Sequence, residues 1–463
     1  MSGSNTVTVP GADGTTYTWS FASNQALAQA ETSLGTQFIG AIDAAQQNGT
    51  LVLTSNSTGG LLTFTATGSG SEGSSFTQTG SGAASGNVYA VQLTGNNSTT
   101  VPAGYNYVLD TAPGSSSVFA APGIVVVSST GGGLFVESGS ASIAASGGNN
   151  VISQSGAGAI ALQGGTGNNT ITAGGTSGTI SGGTGTNVIF ASGSGEMILS
   201  TGIDTINSSG SGNEIFGSTV PGSGSMLISE TGTNDTILGG TSATTVTAST
   251  ATRFYAGSGS LNFVGGAGTA TILGSTGATS VTAGSGGVLY AQTAANSSTV
   301  NSGTGSTTIF GASGAQVNLT GSSGTDLLIA GGGNETLNAS ASSSSNFMAV
   351  GAVSVNAVML GGSGNDTMVA GAGPGSVTMT GAGGSNAFVF FKQAAGGATD
   401  MVTDFNSNDS VFIEGYGAGS AGALQAAATV GTGGVTLTLS DGTSVTFSNL
   451  TSASQLNGKI QYG

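Results

Sequence analysis

The chain has 463 residues, 87 of them glycine, and only 5% of its residues are charged. Three basic and 19 acidic side chains give a formal net charge of −16 at pH 7. This balance excludes binding to nucleic acid or to an anionic membrane through basic patches, and it makes a cation such as calcium the expected partner. Cysteine and histidine are absent, which excludes disulfides, zinc sites of the usual type and the commonest catalytic groups, so we do not expect an enzyme.

Residues 1–85 predict a small N-terminal α+β domain. Its helix is expected at 24–47, where apolar residues recur at helical spacing before an Asn-Gly stop. Strand patterns are present at 7–10, 16–21, 50–54 and 61–66.

The first residues lack the basic and apolar segments of a cleavable secretory signal. No apolar run is long enough for a membrane-spanning helix, so we expect no membrane insertion. The protein is then either cytoplasmic or exported by a signal elsewhere in the chain.

A strand-rich and irregular entry at 86–148 precedes a regular region at 149–391. In the regular region an apolar residue returns about every nine positions, between turns of Gly, Ser, Thr and Asn. A fixed short period is typical of a solenoid, in which each repeat buries its apolar side chains only against its neighbours. We therefore predict an all-β fold, a parallel β-solenoid whose coil contains either two strands or three. The predicted inward residues are Ile171, Ile180, Ile189, Ile198, Ile206, Ile215, Ile237, Val246, Tyr255, Phe263, Ile272, Val281, Ile309, Leu328, Leu337, Met368 and Phe388.

The period breaks at 392–463, which we predict to be a C-terminal β cap, because an open stack end must be covered or paired. Strand patterns are present at 401–405, 411–414, 435–439 and 444–447, with a hairpin signal at 440–443.

One segment fits a motif with known chemistry. Residues 361–369 read Gly-Gly-Ser-Gly-Asn-Asp-Thr-Met-Val, which matches the calcium-binding nonapeptide of RTX proteins. The segment at 387–413 is also similar to the end region of many type I-secreted members of that family. The resemblance implies a β-roll-like coil of two nonapeptides with calcium held between turns by Asp carboxylates and turn carbonyls. It also implies an uncleaved C-terminal export signal and hence an extracellular or cell-surface location.

The chain departs from the family pattern at the position of the ligand Asp, which is usually Asn or Ala here. Asp survives at Asp366 and Asp326, and in a degraded repeat at Asp235. With an 18-residue coil neither Asp366 nor Asp326 has a carboxylate in the turn above or below, so we expect weak half-sites. The candidate metal-binding residues are Gly362, Gly364, Asp366, Asp326 and Asp235, together with Asp400, Asp404 and Asp409 of the end region.

A metal-free arrangement is the alternative to calcium. Asn169 and Asn187 are 18 residues apart, and Asn150 precedes Asn169 by 19. Stacked amides can form hydrogen bonds from coil to coil, as they do in cross-β stacks.

These features favour an extracellular structural protein that binds copies of itself and forms a fibre or a surface layer, in a biofilm matrix or on the cell envelope. Open solenoid ends and sheet edges are templates for pairing. The alternative is an adhesin or carbohydrate-binding protein for cell-surface polysaccharide, with the solenoid as a stalk. An exposed cluster of Tyr105, Tyr107, Tyr255 and Tyr290 would favour the second function. Scattered Thr-x-Thr segments, as at 170–172, also leave an ice-binding face open.

Overall fold

The computed structural model describes residues 5–10, 16–21, 51–56, 61–63, 88–93, 98–101, 103–110, 114–128, 131–320, 323–351, 356–393, 397–417, 419 and 421–463. The chain divides into two compact units. The first comprises Met1–Thr6 and Ser20–Val246, and the second comprises Val7–Trp19 and Thr247–Gly463.

Strands dominate both units. Up to the boundary between the units they are β1 (Asn5–Pro10), β2 (Thr16–Phe21), β3 (Leu51–Asn56), β4 (Leu61–Thr63), β5 (Val88–Leu93), β6 (Ser98–Val101), β7 (Tyr107–Asp110), β8 (Ser116–Ala120), β9 (Val125–Ser128), β10 (Gly133–Ser138), β11 (Ala141–Ala145), β12 (Val151–Ser155), β13 (Ile160–Gln163), β14 (Thr170–Ala173), β15 (Thr179–Ser181), β16 (Thr186–Ala191), β17 (Met197–Leu199), β18 (Ile203–Ser208), β19 (Glu214–Phe216), β20 (Met226–Glu230), β21 (Asp235–Leu238) and β22 (Thr244–Ala248).

The strands that follow are β23 (Thr252–Tyr255), β24 (Leu261–Gly265), β25 (Ala270–Leu273), β26 (Thr279–Thr282), β27 (Val288–Ala291), β28 (Ser297–Asn301), β29 (Thr307–Phe310), β30 (Gln316–Thr320), β31 (Asp326–Ala330), β32 (Asn334–Ala341), β33 (Asn346–Val350), β34 (Asn356–Leu360), β35 (Thr367–Ala370), β36 (Ser376–Thr380), β37 (Ala387–Phe391), β38 (Thr399–Val402) and β39 (Ser410–Glu414). A short helix α1 (Ala421–Ala426) then precedes β40 (Thr429–Gly431), β41 (Gly434–Thr438), β42 (Ser444–Phe447), a 3-10 turn (Ala453–Leu456) and β43 (Ile460–Tyr462).

From β3 to β21, and again from β23 to β39, each strand pairs in parallel with the strand two positions along the chain. For example, β12 pairs with β14 and β14 with β16, whereas β13 pairs with β15. In each unit the odd-numbered strands therefore form one sheet, the odd sheet, and the even-numbered strands form the even sheet. The protein is a parallel β-solenoid of about 16 turns, as predicted, and the pairing decides for the coil of two strands.

The core consists of side chains that point inward from both sheets and stack on their counterparts in the next turn. In the first unit Ile171 lies in register with Ile189, and Ile180 with Ile198. All four are fully buried. This packing follows from the strand period of two, which sends alternate side chains to opposite faces. Since one turn of the solenoid contains only two short strands, it cannot enclose a core by itself. Each turn therefore buries its apolar residues against the turns next to it.

The predicted inward positions are confirmed with one exception. Tyr255 is half-buried, whereas Phe254 is fully buried and lies in register with Ile272. Strand alternation gives the reason, because Arg253 is exposed and the residue after it must point inward. Burying the unpaired guanidinium would cost far more than leaving a tyrosine half-exposed.

The two ends of the chain add detail to the prediction. The predicted helix at 24–47 lies outside the described residues, whereas β3 and β4 pair in parallel with β5 and β6. In the region predicted to be irregular, β7, β9 and β11 already follow the parallel pairing. At the other end β38 and β39 continue it past residue 391.

The pairing changes after β39. Strand β42 pairs in parallel with β38 on one side and antiparallel with β41 on the other. A turn at the predicted hairpin joins β41 to β42, and it is closed by the Leu439 N–H, which donates to the Thr443 carbonyl at 2.8 Å. Within the described residues, no helix is long and apolar enough to span a bilayer.

Candidate functional site: polar columns inside the solenoid

A column of asparagines runs along one edge of the first unit. Asn150 Nδ2 donates to Asn169 Oδ1 at 3.0 Å, and Asn169 Nδ2 donates to Asn187 Oδ1 at 2.9 Å. The same oxygens also accept the backbone N–H of the residue one turn earlier, at 3.0 Å in both cases. All three side chains are buried. The predicted amide ladder is therefore confirmed.

The column ends on a carboxylate. Asn187 Nδ2 donates to Asp204 Oδ1 at 2.7 Å, and the Ser200 hydroxyl donates to Asp204 Oδ2 at 2.5 Å. Each asparagine amide also donates to turn carbonyls, as Asn169 does to Gly167 at 2.7 Å and to Gly182 at 2.9 Å. The column thus supplies partners for polar backbone groups that the turns would otherwise leave unpaired inside the stack.

A second column, in the second unit, contains several of the aspartates predicted to bind calcium. It lies where each odd strand begins and runs from one turn to the next through Thr307, Asp326, Asn346, Asp366, Asn386 and Asp409. Backbone N–H groups donate to the side-chain oxygen one turn later: Thr307 to Asp326, Asn346 to Asp366 and Asn386 to Asp409, each at 2.8 Å. Asp366 N–H donates likewise to Asn386 Oδ1 at 2.9 Å.

Asp366 shows what this column does to a carboxylate. Its Oδ1 accepts from both the backbone N–H and the Nδ2 of Asn346, and its Oδ2 accepts from Gly362 N–H, each at 2.8 Å. Both oxygens are therefore directed at N–H donors, an arrangement that satisfies the carboxylate without a metal. Burial nevertheless raises the pKa of Asp366, and these hydrogen bonds oppose the rise.

The turn neighbours of Asp366 differ from those that an 18-residue coil predicts. The register places Asn346 and Asn386 beside it, because a turn here spans 20 residues, as from Met348 to Met368. The absence of a carboxylate in either adjacent turn was nevertheless predicted correctly. Asp326 lies likewise between Thr307 and Asn346.

The motif glycines allow the turns to approach each other closely. A Cβ on Gly362 would lie 2.0 Å from the Ser342 carbonyl oxygen, and one on Gly364 would lie 2.2 Å from that of Ser344. No other residue fits at these positions without separating the turns. The structure therefore gives these glycines a packing role, and their role as calcium ligands stays a prediction.

Asp235 lies in the first unit as part of a buried acidic pair. Its Oδ1 accepts the backbone N–H of Asn213 at 2.8 Å, and its Oδ2 accepts the Ser208 hydroxyl at 3.4 Å. Burial raises the pKa of the neighbouring Glu230 to about 8, and a hydrogen bond with Asp235 contributes to the rise. Near neutral pH a Glu230 carboxyl with this pKa is largely protonated.

The three aspartates of the end region are only partly brought together. Asp404 accepts the N–H groups of Gly381 at 2.8 Å and Ala382 at 2.6 Å. Burial is the main cause that raises the pKa of Asp409, and the charge of Asp404 adds to this rise. Asp400 is buried on the even sheet and accepts Val377 N–H at 3.0 Å. In the described ranges, no group of three or more acidic residues is arranged to hold a metal ion. Calcium binding stays a prediction, and the Asp404–Asp409 pair fits it best because Asp404 is only half-buried.

Three buried glutamates were not expected from the sequence. Burial raises the pKa of Glu137 to about 8 and those of Glu196 and Glu335 to about 7. Glu137 Oε1 accepts Gly123 N–H at 2.8 Å, and Glu335 accepts the N–H groups of Gly331 and Gly332. Neither oxygen of Glu196 has a hydrogen-bond partner among the described residues. The sequence offered one signal for their burial, which is their alternation with buried neighbours along the strand. Glu137, for example, lies two residues after the buried Phe135.

Acidic side chains are thus mostly inside the protein. Of the fifteen acidic residues in the described part of the chain, only Glu214 is exposed and three are half-buried. The eleven that are buried are Asp110, Glu137, Glu196, Asp204, Glu230, Asp235, Asp326, Glu335, Asp366, Asp400 and Asp409. Since several of them have raised pKa values, the folded protein carries less negative charge near pH 7 than its formal value.

A comparison with protein-family models gives no match, and no curated protein matches the chain.

Proposed function

We propose that this protein is an extracellular structural protein that assembles with copies of itself into a fibre or a surface layer. The observation that carries the proposal is the burial of eleven acidic residues in the described ranges. A chain with a formal charge of −16 would normally repel its copies, and this repulsion weakens when most of the carboxyl groups are buried and several of them are protonated. Copies can then approach closely despite an acidic sequence.

The last strands support assembly through a sheet edge. Among the described residues β40 pairs only with β41, and all three of its residues are exposed. Val430 at its centre is 56% exposed, and the strand has no charged side chain that would discourage pairing. We take the segment from α1 to β43 as the C-terminal cap of the stack and β40 as the edge that it leaves open.

The aromatic side chains favour this function over glycan binding. Tyr290 is fully buried with its hydroxyl 2.6 Å from Ser298 Oγ, and Tyr105 is also buried. Tyr107 and Tyr255 are half-buried. Sugar-binding proteins expose aromatic rings for stacking, and these four residues form no exposed cluster. Binding to cell-surface polysaccharide is therefore the secondary proposal, with the solenoid as a stalk.

Export belongs to the same proposal. The segment at 387–413, which is similar to the end region of type I-secreted RTX proteins, contains β37, β38 and most of β39. We propose that it directs secretion without cleavage of an N-terminal signal.

The test is electron microscopy and light scattering of the purified full-length protein, with calcium and with a chelator. Ordered polymers are expected in at least one of the two conditions. A protein that remains monomeric in both conditions across the micromolar range would overturn the proposal. Polymers that disappear with the chelator would assign calcium a role in assembly, whereas polymers in both conditions would assign assembly to the protein alone.

A further inference from the structure

The outer face of the even sheet in the first unit is uncharged and partly apolar. Its strands from β8 to β20 form a continuous parallel series. Five large apolar side chains point outward from it: Phe119 is 37% exposed, Val151 45%, Phe190 44%, Ile203 54% and Leu227 50%. Soluble monomers rarely expose so many large apolar residues on one face without a partner.

This face has no ionisable side chain, because every acidic residue on these strands points inward. Glu137, Asp204 and Glu230 are all buried in the stack. The outer face of the odd sheet in the same unit differs, since Glu214 is exposed there on β19. The two faces therefore provide an internal comparison within one unit.

The residues between the apolar side chains do not form a threonine ladder. Thr170 and Thr172 point outward on β14, but their register neighbours are Val151 and Ser153 on β12 and Val188 and Phe190 on β16. An ice-binding face needs threonines in phase from turn to turn, so this arrangement favours contact with protein.

We propose that this face packs against the same face of a second copy and forms the lateral contact between polymers. The inference rests on the proposed function and adds the surface through which copies associate side by side. The absence of charge on this face indicates which partner it fits. An uncharged face does not attract a charged ligand, but it allows a second acidic copy to approach without repulsion. A second copy also presents the same strand spacing, so that side chains such as Phe190 and Leu227 can interdigitate with their counterparts.

The area of the face is sufficient for this contact. Seven strands spaced about 4.8 Å apart, each about 17 Å long, give a face of roughly 570 Å² per copy, or about 1,100 Å² for the pair. That is close to the lower limit for a specific interface of roughly 1,000 Å². One pair would therefore associate weakly, whereas many pairs along a polymer would associate strongly.

The test compares two single-lysine variants of the full-length protein, one on the outer face of the even sheet and one on the outer face of the odd sheet. Phe190→Lys adds a charge to the proposed contact, and Thr179→Lys adds the same charge to the outer face of the odd sheet on β15. Phe190→Lys is expected to raise the protein concentration needed for lateral bundling by about tenfold or more, because two like charges would face each other across the contact. Thr179→Lys is expected to bundle as the wild type does.

A milder variant separates loss of contact from loss of fold. Phe190→Thr keeps a strand-forming residue beside Thr172 and should melt like the wild type while bundling less. Equal bundling of both Phe190 variants and the wild type, seen by electron microscopy, would overturn the lateral contact but leave the proposed function standing. Single unbundled polymers of Phe190→Lys would support both proposals, and a monomeric wild type would overturn both.

Discussion

Asn169 and Asn187 are joined by two hydrogen bonds at one oxygen. The Oδ1 of Asn187 accepts the Nδ2 of Asn169 at 2.9 Å and its backbone N–H at 3.0 Å. Their 18-residue separation is one turn of the solenoid, so the contact fixes the register of two neighbouring turns. Because both side chains are buried, neither can exchange its partner for water when the contact is lost.

Replacing Asn169 with leucine should therefore destabilise the first unit strongly. The change removes a donor to Gly182 and the acceptor of two N–H groups of Asn150. Each buried group left unpaired costs about 1–3 kcal/mol, and we expect a loss of at least about 3 kcal/mol in the free energy of unfolding. Chemical denaturation of the purified protein measures it.

The neighbouring Asn168 is the control for this substitution. It is exposed, and its Oδ1 accepts a single N–H from Thr186 at 2.9 Å. Asn168→Ala should cost less than about 1 kcal/mol. Equal losses for Asn168→Ala and Asn169→Leu would show that the amide column contributes nothing beyond local turn structure.

The buried glutamates predict that stability falls as pH rises. Burial raises the pKa of Glu137 to about 8 and that of Glu196 to about 7, from an ordinary value of 4.5. Between about pH 4.5 and pH 8 the folded protein holds protons that the unfolded chain has released. Each pH step upward in this window therefore favours unfolding. The melting temperature should be highest near about pH 5 and should decrease steadily to about pH 8.

Glu137→Gln isolates one of these groups. Glutamine keeps an acceptor for Gly123 N–H, and Gln154 occupies the register position of residue 137 in the next turn. The variant should lose less stability than the wild type between about pH 5 and pH 8. Glu214→Gln is the control for the substitution itself, because Glu214 is exposed in the same unit. Parallel curves for Glu137→Gln and the wild type would contradict the buried-proton account.

Calcium binding is tested best at Asp404. Its charge repels that of Asp409, and a bound cation would relieve this repulsion. Millimolar calcium is expected to raise the melting temperature of the wild type, and Asp404→Asn should abolish the increase. Asp441→Asn, outside the pair, should retain it. A rise of the same size in the Asp404 variant would place the ion elsewhere.

The close approach of turns predicts the effect of a single methyl group. A Cβ on Gly364 would lie 2.2 Å from the Ser344 carbonyl oxygen, whereas one on Gly433 would meet no atom within 4 Å. Gly364→Ala should reduce the free energy of unfolding by about 1–3 kcal/mol, and Gly433→Ala should change it by less than about 0.5 kcal/mol. Thermal and chemical unfolding of both variants would distinguish them, and similar values would mean that the turns are farther apart than described.

The period of the sequence was sufficient to predict the solenoid and most of its inward residues. It misplaced Tyr255 because two aromatic residues are adjacent there, and only the cost of burying Arg253 decides that Phe254 points inward. It also misjudged the neighbours of Asp366, because turns in the second unit extend to 20 residues while the strands keep their pairing. Turn length varies freely in a solenoid, so a fixed spacing loses the register after a few turns.

The polar columns were predictable only in part. Asn150, Asn169 and Asn187 keep a nearly constant spacing, which was sufficient to predict their ladder. Glu137 and Glu196 have no such constant spacing, and alternation with buried neighbours was their only signal, because glutamate is usually exposed. The motif at 361–369 drew attention to Asp366, but the hydrogen bonds from Asn346 to Asp366 could be known only from the structure.

Keeping the acidic residues inside reverses the usual relation between folding and solubility. Before folding, the chain exposes its carboxylates, and mutual repulsion keeps separate chains apart. Once folded, it conceals most of that charge and presents neutral surfaces to its neighbours. Under the proposed function, unfolded chains would stay apart during export and associate only after folding.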